Sequence, residues 1–381
     1  MQPWFLIIPF ALIAALLWWL YRRLVIAPQW GGRGIRISGA LVLLALTIVT
    51  FTGVQGGPAW LPASVARGYA WVGSTWLALA WYLILGLALV SLGSLSTRLR
   101  RRTNTPEARR RVNRVGAPLA VLAALLVTGT GVAAATTPTL TPVTVTSPDL
   151  PQAQDGTTIA VITDLHAGPV RGPEFTRSIV ERVNAAQPDL VVLVGDVVDG
   201  PESRFSDAIA PLQDLQAPLG VVAVTGNHEM YTGTIPQWLA YWRTLGVTVL
   251  TNSKIRIGSG ADGFWLAGTH DTTGEGLYAP NYTAALDGVA ATDFGVLLAH
   301  QPIAAQSLPD LGLVDLQLSG HTHGGQLWPF RPLVLLQQPV VDGLHEVEGT
   351  LVLTSRGAGT WGPPVRVGAD PQIPLVTLRR G

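Results

Sequence analysis

Nine polar residues between positions 164 and 323 of this 381-residue chain have side chains of the types that bind metal ions or carry protons. They are Asp164, His166, Asp196, Asp199, Asn227, His228, His300, His321 and His323. The set offers imidazole, carboxylate and amide groups, and the chain has no cysteine that could add a thiolate. Ligands of this kind suit Mn, Fe, Zn or Ni ions. Because the candidates are too many for one ion, the pattern predicts two divalent metals, as in many hydrolytic sites.

These residues fall into five clusters, and each cluster directly follows an apolar, β-branched run that predicts a buried strand. The predicted strands cover residues 158–163, 190–194, 219–224, 294–298 and 316–318. Helical spacing is found over residues 174–186, 206–215 and 236–245, which indicates a layered α/β domain. Ligand sites in open α/β sheets lie beyond the carboxyl ends of the strands. We therefore expect the five clusters to converge on one place.

The clusters resemble the motifs of the calcineurin-like metallophosphoesterases. The matching blocks are Asp164-x-His166, Gly195-Asp-x-x-Asp199, Gly226-Asn-His-Glu229, His300 and Gly320-His-Thr-His323, in the order of that family. Five blocks with these spacings form a specific match, which covers residues 157–378. The phrases LQLSGHTHGGQ and SRGAGTWGPPVR resemble the membrane-associated or exported bacterial members. The resemblance implies a four-layer α/β/β/α sandwich, a fold of the α/β class.

The resemblance also implies a role for each polar residue. Asp164, His166 and His323 would bind the first metal, and Asn227, His300 and His321 the second. Asp196 would bridge the two ions, and a hydroxide between them would attack phosphorus. His228 would donate a proton to the leaving group, and Asp199 would orient His228. Mn is the metal we expect first, with Fe, Zn and Ni as alternatives.

Several of these residues also have a structural interpretation. An aspartate after a strand, such as Asp164 or Asp196, is often a helix N-cap, and Asp199 could form a turn. His228 and His300 could each be a histidine with ordinary hydrogen-bond partners. These alternatives stay open from the sequence alone.

Other residues near the motifs are given no catalytic role. His270 and His345 match no motif block and are interpreted as structural or surface residues. Arg356 and Trp361 lie in a late Gly/Pro-rich loop and are interpreted as packing residues, with substrate contact as the alternative. Glu229 stands where some relatives carry aspartate, a difference we expect to be tolerated.

The first third of the chain is strongly apolar. Only 13% of all residues are charged, against roughly 25% in ordinary soluble domains, so membrane segments are indicated. Four apolar runs without charged side chains cover residues 3–21, 37–54, 70–92 and 117–135. Each is close to the ~20 residues that a helix needs to cross a bilayer. The first could instead be a signal peptide, but it lacks a basic start. We predict four transmembrane helices in a multi-pass membrane protein.

The charges predict an orientation. Residues 1–148 carry 13 arginines and one acidic residue, whereas residues 157–381 have a net charge of −9. The first and third connections between the runs are rich in arginine, and the third, residues 94–116, has eight. Positive loops stay in the cytoplasm, which predicts that both termini and the second half are extracytoplasmic. The acidic second half argues against nucleic acid as a partner, and the basic loops suit contact with membrane lipid.

The sequence thus predicts three segments: a membrane domain (1–135), a linker rich in Thr and Pro (136–156) and a metallophosphoesterase domain (157–381). The predicted function is a membrane-anchored, dinuclear metal-dependent phosphoric ester hydrolase. We expect a phosphodiesterase acting on an envelope or lipid-linked phosphoester, such as a lipid head group or cell-wall polymer. A phosphomonoesterase using the same site is one alternative. A non-catalytic membrane sensor or binding protein is another, although such a protein would often have lost a ligand, and none is lost.

Overall fold

The computed structural model of the chain describes residues 4–58, 60–99, 105–308 and 312–381. It divides into two compact units, Met1–Val132 and Ala133–Gly381. All nine residues predicted to form the site belong to the second unit.

The described residues of the first unit form long helices. They are α1 (Trp4–Tyr21), α2 (Arg33–Gly53), α3 (Ala63–Leu99) and α4 (Pro106–Ala134), whose last residues already count with the second unit. Within the described residues, three helical segments are long and apolar enough to cross a membrane: Arg33–Gly53, Val65–Thr97 and Pro106–Ala134. These three match the last three predicted spans. The first predicted span, residues 3–21, lies partly outside the described residues, and its backbone is helical from Trp4.

Small residues allow the membrane helices to pack closely. A Cβ at Gly73 of α3 would lie 2.5 Å from the carbonyl oxygen of Val49 in α2. Thr50 of α2 donates its hydroxyl to the Gly73 carbonyl at 2.8 Å. Such contacts between small and hydroxyl residues are typical of helix pairs in membranes.

Two six-stranded sheets form the centre of the second unit. The strands of the first sheet are β1 (Thr139–Ser147), β2 (Thr158–Ile162), β3 (Leu190–Val194), β4 (Val221–Val224), β5 (Thr248–Val249) and β12 (Gln372–Arg380). Those of the second are β6 (Ser253–Ile257), β7 (Phe264–Gly268), β8 (Gly295–Leu298), β9 (Leu316–Ser319), β10 (Gly343–Val347) and β11 (Thr350–Thr354). The strand orders are β1-β12-β2-β3-β4-β5 and β10-β11-β9-β8-β7-β6. Strands β2 to β5 are parallel, and so are β7, β8, β9 and β11.

Helices cover the outer faces of both sheets. The helices of the second unit are α5 (Pro173–Ala185), α6 (Glu202–Ile209), α7 (Asn227–Tyr231), α8 (Ile235–Thr244), α9 (Tyr282–Leu286) and α10 (Arg331–Val334). Ile179, Ile209 and Trp238 bring α5, α6 and α8 onto the outer face of the first sheet. Ala285 of α9 packs on the second sheet.

The strands that face both a helix layer and the other sheet are buried on both faces, which explains their unbroken apolar sequences. Val192 of β3 and Val296 of β8 lie in the core between the sheets. Val191 of β3 instead faces the helices of the first outer layer. The predicted four-layer α/β/β/α sandwich is therefore confirmed.

The segment predicted to be a linker, residues 136–156, contains a strand of the second unit. Its residues 139–147 form β1, which pairs in parallel with β12 along its full length, from Thr139 beside Gln372 to Ser147 beside Arg380. Because β1 lies at the edge of the sheet, Pro142 can be accommodated there. Val145 and Leu150 are buried in the core between the sheets. Residues 139–147 are therefore a strand of the metallophosphoesterase domain, although their prolines suggested a linker.

Candidate metal centre

The polar clusters lie at the carboxyl ends of strands from both sheets, as predicted. Asp164 follows β2, Asp196 follows β3 and Asn227 follows β4, whereas His300 and His321 follow β8 and β9 of the other sheet. Backbone hydrogen bonds join neighbouring clusters within each sheet. The Asp164 N–H donates to Gly195 O at 3.1 Å, and the Gly320 N–H donates to His300 O at 2.8 Å. All nine residues are thereby brought together.

One group of potential ligands consists of Asp164, His166 and His323, all of them buried. Oδ1 of Asp164 lies 3.2 Å from Nε2 of His323. Nε2 of His166 lies 3.0 Å from Nε2 of His323 and 3.7 Å from Oδ2 of Asp196. Three ligand atoms therefore lie around one point, and Oδ2 of Asp196 approaches the imidazole of His166.

A second group consists of Asp196, His300 and His321. Oδ2 of Asp196 lies 3.2 Å from Nε2 of His300. Nδ1 of His321 lies 2.8 Å from the side-chain oxygen of Asn227, which adds an amide ligand to this group. Oδ2 of Asp196 approaches both groups, so this carboxylate stands where a residue bridging two ions would be.

The hydrogen bonds of His300 show that the centre fits a cation. Its Nδ1–H donates to the Val194 carbonyl at 2.8 Å, which in the neutral ring leaves a lone pair on Nε2. Among the described residues, that buried Nε2 has no hydrogen-bond partner. A lone pair facing the Asp196 carboxylate is unfavourable, so Nε2 calls for a proton or a metal ion. Burial lowers the pKa of His300, but Asp196 outweighs it and raises the pKa well above its ordinary value, so a proton takes this place in the metal-free protein. The donor set of imidazole, carboxylate and amide oxygen suits divalent transition metals.

Electrostatics favour the metal-binding forms of Asp164, Asp196 and His323. Burial raises the pKa of Asp164, but its close contact and hydrogen bond with His323 and the charge of His300 more than offset this and hold it well below its ordinary value. The pKa of Asp196 is likewise held well below its ordinary value against burial, chiefly by His300 and His228. Burial lowers the pKa of His323 to about 3, so its imidazole is neutral. Ionised carboxylates and neutral imidazoles are the forms that ligate metals.

The backbone is strained where the ligands are attached. Five of the proposed ligands have positive φ angles, between 49° and 68°: Asp164, His166, Asp196, His321 and His323. Such angles are uncommon for residues other than glycine, and they concentrate at functional sites. Two glycines allow the close approach. A Cβ at Gly226 would lie 2.3 Å from Oδ1 of Asp196, and one at Gly320 would lie 2.2 Å from Oδ2 of Asp164.

His228 is held at the margin of the centre by Asp199. Its Nδ1–H donates to Oδ1 of Asp199 at 2.6 Å, and its backbone N–H donates to Oδ1 of Asp196 at 2.8 Å. The side chain is 18% exposed, whereas those of His166 and His300 are fully buried. Burial lowers the pKa of His228, but the carboxylates of Asp196 and Asp199 outweigh it and raise the pKa to about 9. The imidazole is therefore protonated at neutral pH.

Glu229 has a role that the sequence did not reveal. Its fully buried carboxylate accepts four backbone N–H groups, from Asp196, Val197, Val198 and Gly226, at 2.6–3.1 Å. It therefore fixes the loop after β3 to the loop after β4. Burial and the charge of Asp196 raise its pKa to about 7, opposed by the N–H groups. The only sequence signal was its place next to His228.

Arg366 was also missed. It is 1% exposed, and its guanidinium donates to the carbonyls of His323, Arg356, Gly357, Gly359 and Ala369. It thus ties the His-x-His segment to the late Gly/Pro-rich loop. A cation between two valines, Val365 and Val367, was the available signal, because a charged side chain in an apolar setting needs polar partners.

The remaining residues singled out from the sequence can be placed as well. His270 is buried, with Nδ1 3.0 Å from the Thr225 hydroxyl, and His345 is exposed, with Nε2 bonded to Asp342 O at 3.0 Å. Their structural and surface interpretations are confirmed. Trp361 is 53% exposed and does not fit the packing role expected of it.

Comparison with known proteins agrees with this geometry. The sequence model of the calcineurin-like phosphoesterases matches residues 157–325. An uncharacterized metallophosphoesterase of Aquifex aeolicus is 33% identical over 231 residues, which are 59% of this chain and 86% of that protein. The chain belongs to the calcineurin-like metallophosphoesterase family. Family membership agrees with a centre whose ligand groups suit divalent metal ions.

In other relatives, the region that aligns with this metallophosphoesterase is only part of the chain. A "transmembrane protein with metallophosphoesterase domain" of Bos taurus is 38% identical over 264 residues, 65% of this chain and 58% of its own. An uncharacterized metallophosphoesterase of Helicobacter pylori strain J99 is 37% identical over 223 residues, 58% of this chain and 59% of its own. The chain thus spans about six tenths of the length of these relatives. The transmembrane relatives and the three apolar helices indicate membrane association.

Proposed function

We propose that the protein is a membrane-anchored phosphodiesterase with two metal ions, acting on a phosphoester of the cell envelope. The observation that carries this proposal is the position of Asp196 between two ligand groups. Its Oδ2 lies 3.7 Å from Nε2 of His166 and 3.2 Å from Nε2 of His300. Paired metal sites that share one carboxylate are suited to in-line displacement at phosphorus.

The proposed ligands follow from these groups. One ion would be held by Asp164, His166 and His323, the other by Asn227, His300 and His321, with Asp196 shared. When bound, the two ions supply Lewis acidity that activates water and neutralises charge on the phosphoryl group. Mn is the ion we propose, with Fe, Zn and Ni as alternatives.

His228 and Asp199 supply the proton transfer. The Nδ1–H of His228 is engaged by Asp199, so the proton on Nε2 is the one available to a leaving-group oxygen. The Asp199 carboxylate stabilises the imidazolium and fixes the plane of the ring. A complete pair of ligand groups with a positioned acid supports an enzyme over a non-catalytic membrane sensor.

The envelope as the location of the substrate is inferred from the arginine distribution. The connections expected on the cytoplasmic side carry most of the arginines of the membrane half, which puts the metallophosphoesterase domain on the extracytoplasmic side. A reporter enzyme that functions only after export, fused after Gly381, tests this orientation. Activity of a reporter that functions only in the cytoplasm would overturn it.

The proposed activity is tested with the purified full chain in nanodiscs and Mn²⁺. We expect hydrolysis of bis(p-nitrophenyl) phosphate that exceeds hydrolysis of p-nitrophenyl phosphate. His228→Ala should lose most turnover yet keep metal, whereas Asp196→Asn should lose metal. His345→Ala, which changes an exposed histidine outside the centre, is the matched control. Faster turnover of the monoester would favour the phosphomonoesterase alternative, and parental turnover by His228→Ala would refute the acid role.

A further inference from the structure

An exposed apolar surface lies beside the His-x-His segment. We call it the apolar rim and define it by Trp328, Leu333, Leu335, Leu336 and Trp361. These side chains are between 48% and 79% exposed. Single exposed apolar residues are normal on a protein surface, but five large ones that follow the same motif in the chain or, like Trp361, are hydrogen-bonded to it point to an interaction site.

Hydrogen bonds connect the apolar rim to the segment that carries His321 and His323. The side-chain amide of Gln326, three residues after His323, donates to Trp361 O at 2.8 Å, and its Oε1 accepts the Trp361 N–H at 2.9 Å. Further along, the Thr322 hydroxyl donates to Val341 O at 2.5 Å. The segment around His321 and His323 is thus bonded to Trp361 and to Val341, which follows the stretch that carries the leucines.

The same surface is linked to the residue that follows a membrane helix. Helix α4 ends at Ala134, and Ala135 O accepts a hydrogen bond from Arg171 at 3.0 Å. The buried guanidinium of Arg171 also donates to the Thr360 hydroxyl at 3.1–3.2 Å. Thr360 directly precedes Trp361. Arg171 therefore links the residue before Trp361 to the residue after α4, a helix that is long and apolar enough to span a bilayer.

We propose that the apolar rim docks into the boundary between head groups and acyl chains of the bilayer that contains the protein's own helices. Tryptophan is enriched at this boundary, and exposed leucines beside it bury apolar surface there. Resting on the proposed function, this docking specifies the substrate class: a phosphodiester whose apolar part stays in the bilayer while its phosphate reaches the metal centre.

Docking can be tested cleanly because the chain has no native cysteine. Leu336→Cys, 79% exposed in the parent, is labelled with an environment-sensitive fluorophore in the full chain. The protein is reconstituted into phosphatidylcholine–phosphatidylglycerol vesicles with or without lipids that carry a spin label on the acyl chain. Leu277→Cys, which changes another exposed leucine of the second unit, is the matched control.

We expect a blue shift and strong quenching by the spin-labelled lipid at position 336, and neither at position 277. Equal quenching at both positions would show that contact is not localised to the apolar rim and would overturn the proposal. A blue shift at 336 without lipid quenching would also overturn it, because a protein partner or a second copy would then cover the surface.

A second measurement addresses the substrate class. The double variant Leu333→Asp, Leu336→Asp should cleave a vesicle-embedded phosphatidyl umbelliferyl ester many-fold more slowly than the parent, while hydrolysis of bis(p-nitrophenyl) phosphate stays unchanged. Equal loss on both substrates would contradict a role in presenting lipid. If the parent cleaves neither substrate, the proposed function fails, and the quenching result still decides the docking.

Discussion

Oδ1 of Asp199 lies 2.6 Å from Nδ1 of His228, and this carboxylate is the closest charged partner of the proposed acid. The same oxygen atom also accepts Nδ1–H of His166 at 2.7 Å. One carboxylate oxygen therefore fixes the ring orientation and tautomer of a proposed proton donor and of a proposed metal ligand. Metal affinity and proton transfer are coupled through this atom, because both imidazoles depend on it for the position of Nε2.

Asp199→Asn tests this coupling. An amide oxygen accepts hydrogen bonds from two imidazole N–H groups more weakly than a carboxylate does. If the NH₂ group of the amide faces these N–H groups instead, it repels them. We expect kcat to fall about 10–100-fold with a comparable loss of metal affinity, as for other partners of ligating histidines. Steady-state kinetics and metal titration measure the two effects. Asp207→Asn, at an exposed carboxylate on α6, should change neither, and an Asp199→Asn enzyme with parental kcat would contradict the assignment.

Glu229→Gln should weaken both stability and metal binding. The carboxylate accepts four buried N–H groups, whereas an amide offers one oxygen and adds two donors that face them. Each buried N–H left unsatisfied costs about 1–3 kcal/mol, so we expect a loss of several kcal/mol in the free energy of unfolding. Chemical denaturation of the full chain in nanodiscs measures the change. Glu181→Gln, at an exposed position on α5, is the control and should be neutral.

The arrangement of the centre could be predicted because it follows from strand geometry. Asp164 and Asp196 come directly after apolar runs, and parallel strands must bring their carboxyl ends to one place. The fold followed from the same runs, since a strand such as β3 with apolar residues at every position must be buried on both faces. Local sequence is enough for both conclusions.

Other features depend on contacts that local sequence does not contain. The prolines and threonines of β1 are typical of a linker. Only its pairing with β12, more than 200 residues later, stabilises it as a strand. Arg366 acts through backbone carbonyls, which any sequence provides. Glu229 serves the loop after β3, although it lies beside the motif residue His228. In each case the partner is set by the tertiary fold.

The titration of His228 gives a further prediction. In the metal-free protein, burial opposes the charged ring, but Asp196 and Asp199 raise its pKa to about 9, from 6.5. A raised pKa stabilises the fold fully below the unfolded value, and this stabilisation is lost as pH rises through the folded value. The stability difference between the parent and His228→Gln should therefore decrease between pH 6.5 and about 9. Thermal unfolding of both metal-free proteins measures it, and a difference that is independent of pH would argue against a protonated His228.

Gly226→Ala should abolish metal binding through a steric clash alone. The φ angle of Gly226 is −105°, which alanine adopts without strain, so the backbone itself does not require glycine. The added Cβ would, however, lie 2.3 Å from Oδ1 and 2.4 Å from the backbone N of Asp196, and the bridging carboxylate would have to move. A shift of that size displaces a ligand shared by both proposed ions, so we expect both to be lost together. Metal content per chain after desalting measures this. Gly129→Ala in α4, where no atom lies within 4 Å of the new Cβ, should retain both ions. Retention of two ions by Gly226→Ala would mean that Asp196 is not the shared ligand.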